Sequence, residues 1–199
     1  MLFSRGLSKT LPETTARRDL RVAVGDQQAV QKMGAFLSTL VEELNPAGRR
    51  RCVLLSIGTD RSTGDSLGPL VGSRVSELAP GLIPVFGTLE EPVHAVNLKE
   101  KLLEIKGMFP GQPLIIAVDA CLGQLQNVGT ISLGKGSLQP GTGVHKELPP
   151  VGDIFISGVV NLGGFLEFLV LQSTRLCLVM KMADCIARAL VLGLSAPRS

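Results

Sequence analysis

The sequence contains no tryptophan and no tyrosine, so seven phenylalanines are its only aromatic side chains other than two histidines. Single-stranded nucleic acid is usually gripped by rows of aromatic rings beside a basic groove. Here the rings are scarce, the formal net charge is only +3, and the Lys and Arg residues are dispersed apart from Arg17-Arg18 and Arg49-Arg50-Arg51. Direct nucleic-acid binding is therefore not expected. Cysteine is also sparse: Cys52, Cys121, Cys177 and Cys185 form no Cys-x-x-Cys pair, and a chain of this size does not need disulfide staples. Nor is there a long uncharged apolar run. The most apolar stretch, 162–194, is interrupted by Glu167, Arg175, Lys181, Asp184 and Arg188, too many charges for a membrane span of roughly 20 residues. Residues 1–20 lack an apolar segment of secretory-leader length. These absences predict a cytoplasmic protein with reduced thiols and no membrane partner.

What is present is material for one buried core: 199 residues, 45% of them hydrophobic, within the usual range of a single domain. Residues 1–26 show no sustained period and read as an N-terminal arm; 27–199 read as the folded domain. Val30, Met33, Leu37, Leu40, Val41 and Leu44 recur at three- and four-residue steps, which predicts an amphipathic helix ending before Pro46. Residues 52–57 form a continuous apolar run, as expected of a parallel strand covered on both faces. A helix is predicted to start between Asp65 and Pro69 and to carry Leu70, Val71, Val75 and Leu78. A strand over 82–86, a helix over 95–105, a buried strand over 114–118, strands over 129–133 and 153–160, and helices over 162–171 and 175–192 complete the pattern. Strands alternating with helices indicate a single-domain, three-layer α/β fold with a mostly parallel central sheet and helices on both faces. The Gly- and Pro-rich segment 134–152 has no clear period and is predicted to be a surface loop bordering a site.

Ligands of open α/β sheets collect beyond the carboxyl ends of the strands, and two acids are expected there. Asp65 lies where the loop after the 52–57 strand enters a helix, and Asp119 directly follows the 114–118 run. By itself each has an ordinary explanation. An Asp at a helix start caps backbone N–H groups, and one at a strand end bonds loop amides. Together they form a carboxylate pair of which one member can keep a proton while the other activates water, the division of labour that peptide hydrolysis requires; the same pair could hold a divalent cation. The glycine-rich loop lacks both the Gly-Lys-Ser/Thr ending and the Gly-x-Gly-x-x-Gly spacing of phosphate binders. Ser62, Thr63 and Cys121 have no sequence-paired histidine to activate them. Glu90, which with Glu91 follows the 82–86 strand, is a candidate substrate contact, although a solvated acidic pair is its ordinary reading. Thr142 and His145, in the 134–152 loop, are the other candidate substrate contacts, against the ordinary role of a lone loop His at the surface.

Three blocks carry a resemblance to a known family: Ile57-Gly58-Thr59-Asp60-Arg61-Ser62-Thr63-Gly64-Asp65-Ser66-Leu67-Gly68-Pro69, Val118-Asp119-Ala120-Cys121-Leu122-Gly123 and Gln139-Pro140-Gly141-Thr142-Gly143. They resemble the YyaC-type sporulation proteins of endospore-forming bacteria over roughly 51–192. That family is similar to the spore germination protease, an atypical aspartic endopeptidase acting on small acid-soluble spore proteins, and more distantly to the maturation peptidases of nickel-iron hydrogenases. The resemblance implies a phosphorylase/hydrolase-like fold with Asp65 and Asp119 as the catalytic carboxylates. It also implies a protein or peptide substrate in the sporulating cell or spore, small acid-soluble spore proteins among the candidates, and leaves room for a homo-oligomer. The hydrogenase maturation peptidases hold nickel with a third, histidine ligand. The corresponding stretch here, Gly158-Val159-Val160-Asn161-Leu162-Gly163-Gly164, contains none, so no metal or other cofactor is expected to be required. The alternative is a non-catalytic sporulation factor that keeps the fold and binds a protein partner.

Overall fold

The computed structural model of the chain describes residues 19–140, 148–164 and 166–196. The run beginning at Cys52 becomes strand β2 (Cys52–Ser56), buried along its whole length, because neighbouring strands lie on both edges and apolar layers on both faces. The predicted amphipathic helix is α1 (Ala29–Leu44), with Met33, Leu37, Leu40 and Val41 buried. After β2 the chain makes the 3-10 turn Gly64–Ser66 and continues as α2 (Leu67–Leu78). It then passes through β3 (Val85–Phe86), α3 (Leu98–Met108) and β4 (Leu114–Gly123). The later elements are β5 (Thr130–Lys135), β6 (Ile154–Leu162), α4 (Glu167–Gln172) and α5 (Leu176–Ser195).

With β1 (Asp19–Ala23), the strands form one six-stranded sheet in the order β1-β5-β6-β4-β2-β3. β6, β4, β2 and β3 are mutually parallel, β5 is antiparallel to β6, and β1 is antiparallel to β5. β5 therefore alone opposes the common direction. Side-chain alternation sorts the core into two layers. Leu54, Leu114, Ile116, Val118, Ile154 and Ile156 pack toward α1, α2 and α5. Val53, Leu55, Ile57 and Ala117 pack toward Leu98 and Ile105 of α3 and toward Leu138, Leu148 and Val151. The expected three-layer α/β architecture with a mostly parallel sheet is thus present.

Several boundaries differ from the sequence expectation for identifiable reasons. The expected arm boundary at residue 26 is corrected: Asp19–Ala23 is an edge strand, and the rest of that segment lies outside the described residues. Only Val22 of β1 is buried, so the alternation that marks this strand is faint. The strand expected over 82–86 shrinks to Val85–Phe86, although the Pro84 carbonyl still accepts from the Leu54 N–H at 2.9 Å. β4 runs five residues past the expected strand, through Asp119 to Gly123, because β6 continues to pair with it. The helix expected from 162 begins only at Glu167, since Leu162 still belongs to β6.

Candidate active site

The chain leaves β2, builds β3 on one side of it, then crosses back to place β4 on the other side. The order reverses between β2 and β4, and such a reversal opens a crevice beyond the carboxyl ends of the two strands. Asp65 and Asp119 belong to the segments at the carboxyl ends of these two strands. Asp65 lies in the 3-10 turn that enters α2, and that turn packs against β4. Leu67 anchors the turn: it is fully buried and fills the space beside Gly158 of β6, where a Cβ would come within 2.5 Å of Leu67 Cδ2. Complete burial of such a side chain is worth roughly 2 kcal/mol. Asp119 sits within β4, opposite Ser157 of β6. It follows Ala117 by two residues and so projects to the α3 side of the sheet, whereas Asp65 arrives on the α2 side.

The two acids have different surroundings. Asp65 is half-buried, and burial raises its pKa above the ordinary value of 3.8; Ser62 beside it offsets part of the rise. The Ser62 hydroxyl is itself buried yet makes no hydrogen bond of good geometry with any described residue, so its influence is one of proximity. No side-chain cap is made at the start of the 3-10 turn or of α2. The capping role that sequence allows for Asp65 is therefore not filled by its carboxylate; its main-chain carbonyl instead accepts from the Thr59 N–H at 3.1 Å. For Asp119, Oδ1 accepts from the N–H of the next residue, Ala120, at 2.9 Å.

Two residues on from Asp119, on the same face of β4, lies Cys121. Burial raises its pKa, the nearby Asp119 charge adds to the rise, and Ser157 offsets it. It is a poor thiolate nucleophile in these surroundings. Glu90 is exposed on the loop after β3. Thr142 and His145 lie outside the described residues. His94 accepts from the Val96 N–H through Nδ1 at 3.3 Å, a local turn contact. Among the described residues, no group of three His, Cys, Asp or Glu side chains is arranged to hold a metal ion, and none of their helices is long and apolar enough to cross a membrane. Sequence reasoning missed the continuation of β4 beyond Val118, whose β2 side no strand among the described residues covers; the polar and small residues Asp119, Ala120, Cys121 and Gly123 after an apolar run were its only sign.

A solved structure of a NiFe hydrogenase maturation protease, HycI from Thermococcus kodakarensis KOD1, matches with a TM-score of 0.50 over 80% of this chain and 97% of its own, at 19% identity. At that identity the likeness is one of fold, and the fold is phosphorylase/hydrolase-like. YyaC of Bacillus subtilis (strain 168) is 48% identical over 167 residues, which span 84% of this chain and 80% of the relative. A family model described as "Protein of unknown function (DUF1256)" matches residues 21–189. The chain belongs to this family.

Proposed function

We propose, from this membership and the placement of the two acids, that the chain is a carboxylate-pair endopeptidase acting on a protein of the sporulating cell. The observation that supports the reading is the packing of the Asp65 turn against β4, the strand that carries Asp119. Asp65, raised by burial, is suited to keep its proton and deliver it to the leaving amine. Asp119, whose Oδ1 accepts from the Ala120 N–H, is the base that draws a proton from the attacking water. A similar fold in a maturation protease supports a peptidase-like scaffold. The sporulation setting, and small acid-soluble spore proteins as substrates, rest on the resemblance of the sequence blocks. The proposed mechanism calls on no nucleic acid, membrane or metal and routes no step through an ion.

The test is cleavage of purified small acid-soluble spore proteins, followed by mass spectrometry, with the chelator EDTA in a parallel reaction. Asp65→Asn and Asp119→Asn should each lower the rate by about 100-fold or more, the usual contribution of a positioned acid or base, and EDTA should leave the wild-type rate unchanged. If the wild-type protein cleaves none of them while both variants retain its cellular function, the chain is a binding factor. The Ala120 N–H bond to Asp119 is the observation on that side, because it gives this carboxylate a structural task.

A further inference from the structure

β4 is longer than the strand beside it. β2 pairs with it only from Cys52↔Leu114 to Ser56↔Val118, and the Ile57 N–H then bonds the Val118 carbonyl at 2.7 Å before the chain turns away at Gly58. On its other edge β4 stays paired with β6 to Gly123↔Leu162. Residues 119–123 therefore overhang β2, and no strand among the described residues covers their β2 side. Burial agrees: each of these five residues is half-buried, whereas most of the first five in β4 are buried.

The direction of the main-chain groups follows from two bonds. The Val118 carbonyl faces β2, and the Gly123 carbonyl faces β6, where it accepts from the Gly163 N–H at 2.8 Å. Alternation then turns Ala120 and Leu122 to the open side. The register shift beside Cys121 and Leu122 adds its extra residue to β6 and leaves the parity of β4 intact. Unpaired strand edges of this kind accept an added strand. The open slot continues the line of β2, with Asp65 approaching from the α2 side and Asp119 from the α3 side.

We propose that this overhang is the substrate cradle: an extended, otherwise unpaired polypeptide segment adds as a strand along Ala120 and Leu122, which sets its scissile bond between the two acids. The identity of the slot as a cleavage site rests on the peptidase reading above, but the strand addition itself does not. The occupant is an extended backbone because the groups on offer are peptide N–H and C=O groups at strand spacing. A folded substrate, whose main chain is already bonded, is excluded, and a disordered segment or chain tail is selected. Leu125, Leu162, Leu166 and Phe168, all exposed, belong to segments at this carboxyl rim, so apolar side chains on the incoming segment are favoured. The Ala120 N–H stays with Asp119 Oδ1, so the groups such a segment engages are the Ala120 carbonyl and the Leu122 N–H and carbonyl.

Binding is tested apart from cleavage. The Asp65→Asn/Asp119→Asn double variant, verified as folded by circular dichroism, is panned against a phage-displayed library of random decapeptides. The tightest binder is then resynthesised with N-methyl groups at alternate residues, in two sets of opposite parity. One set should weaken binding by about tenfold or more and the other little, because only one parity of amides faces β4. Hydrogen exchange at the Leu122 amide should slow by about tenfold or more on binding. Absence of any binder, equal tolerance of both methylated sets, or an unchanged Leu122 amide would overturn the cradle. None of those results bears on the spore-protein cleavage assay, whose failure would instead remove the peptidase reading and leave strand addition as a mode of partner binding.

Discussion

The α-carbon of Gly58 is packed against the carbonyl oxygen of Asp65: a Cβ at Gly58 would overlap that oxygen, and the backbone there has a φ of +148° that side-chain-bearing residues rarely adopt. The turn that leaves β2 is thereby pressed onto the turn that carries the acid, and the Thr59 N–H bond to the same carbonyl locks the two together. Gly58→Ala should cost about 2 kcal/mol or more in urea unfolding, from backbone strain and the forced shift together. Catalysis should fall as well, since the displaced group is Asp65. A variant of wild-type stability and activity would show that the two turns are not coupled.

The raised pKa of Asp65 has a defined sign in stability. Burial favours its neutral form, so its contribution is fully present below the unfolded value of about 3.8 and is lost as pH rises through the higher folded value. Asp65→Asn, which cannot ionise, should therefore be more stable than wild type near pH 7, and the advantage should vanish as pH falls below about 3.8. Urea unfolding across this range measures it. A variant that is less stable at neutral pH would contradict the desolvation of Asp65.

Cys121 should alkylate slowly, because burial and the Asp119 charge both hold it as a thiol. Cys177 is exposed. In iodoacetamide at pH 7.5, peptide mapping should show Cys177 modified at least about tenfold faster than Cys121, as thiolate fraction and access dictate. Faster labelling of Cys121 would reopen it as a nucleophile.

Arg50 offers a change in stability remote from the acids. Its Nε donates to the Gln112 carbonyl at 2.9 Å, and its Nη2 to the Pro113 carbonyl at 3.0 Å and to Asp153 Oδ2 at 2.8 Å; the same oxygen accepts from the Ile115 N–H. It thus ties together the entries to β2, β4 and β6, at the sheet edge opposite the crevice. Arg50→Ala should lower stability by about 1–3 kcal/mol and leave the cleavage rate of the folded protein unaltered. Arg50→Lys should recover only part of the loss, since an ammonium cannot reproduce the planar fork. An altered rate in either variant would mean that the two edges communicate.

Local pattern was enough for the elements that are buried by their own composition. The stripe from Val30 to Leu44 makes α1 whatever it packs on, and the runs at 52–57 and 114–118 are apolar on both faces, so their burial as central strands was legible one residue after another. The two acids were legible as residues of the segments that follow such runs. The strand order was not, since pairing joins residues far apart in the chain and is set by which edges remain after the helices have packed. Val22 of β1 looks like part of a tail until β5 lies beside it, and the antiparallel course of β5 leaves no mark in its composition. The length of β4 was hidden for a related reason. Asp119 to Gly123 carry no apolar run because one edge and part of each face stay open, and only the continued pairing with β6 keeps them a strand. Sequence by itself determined the two buried strand cores and the acids that follow them. The tertiary structure alone decided that β2 stops where β4 continues, because hydrogen bonds between distant segments, rather than local apolar content, fix where a strand edge is left unpaired.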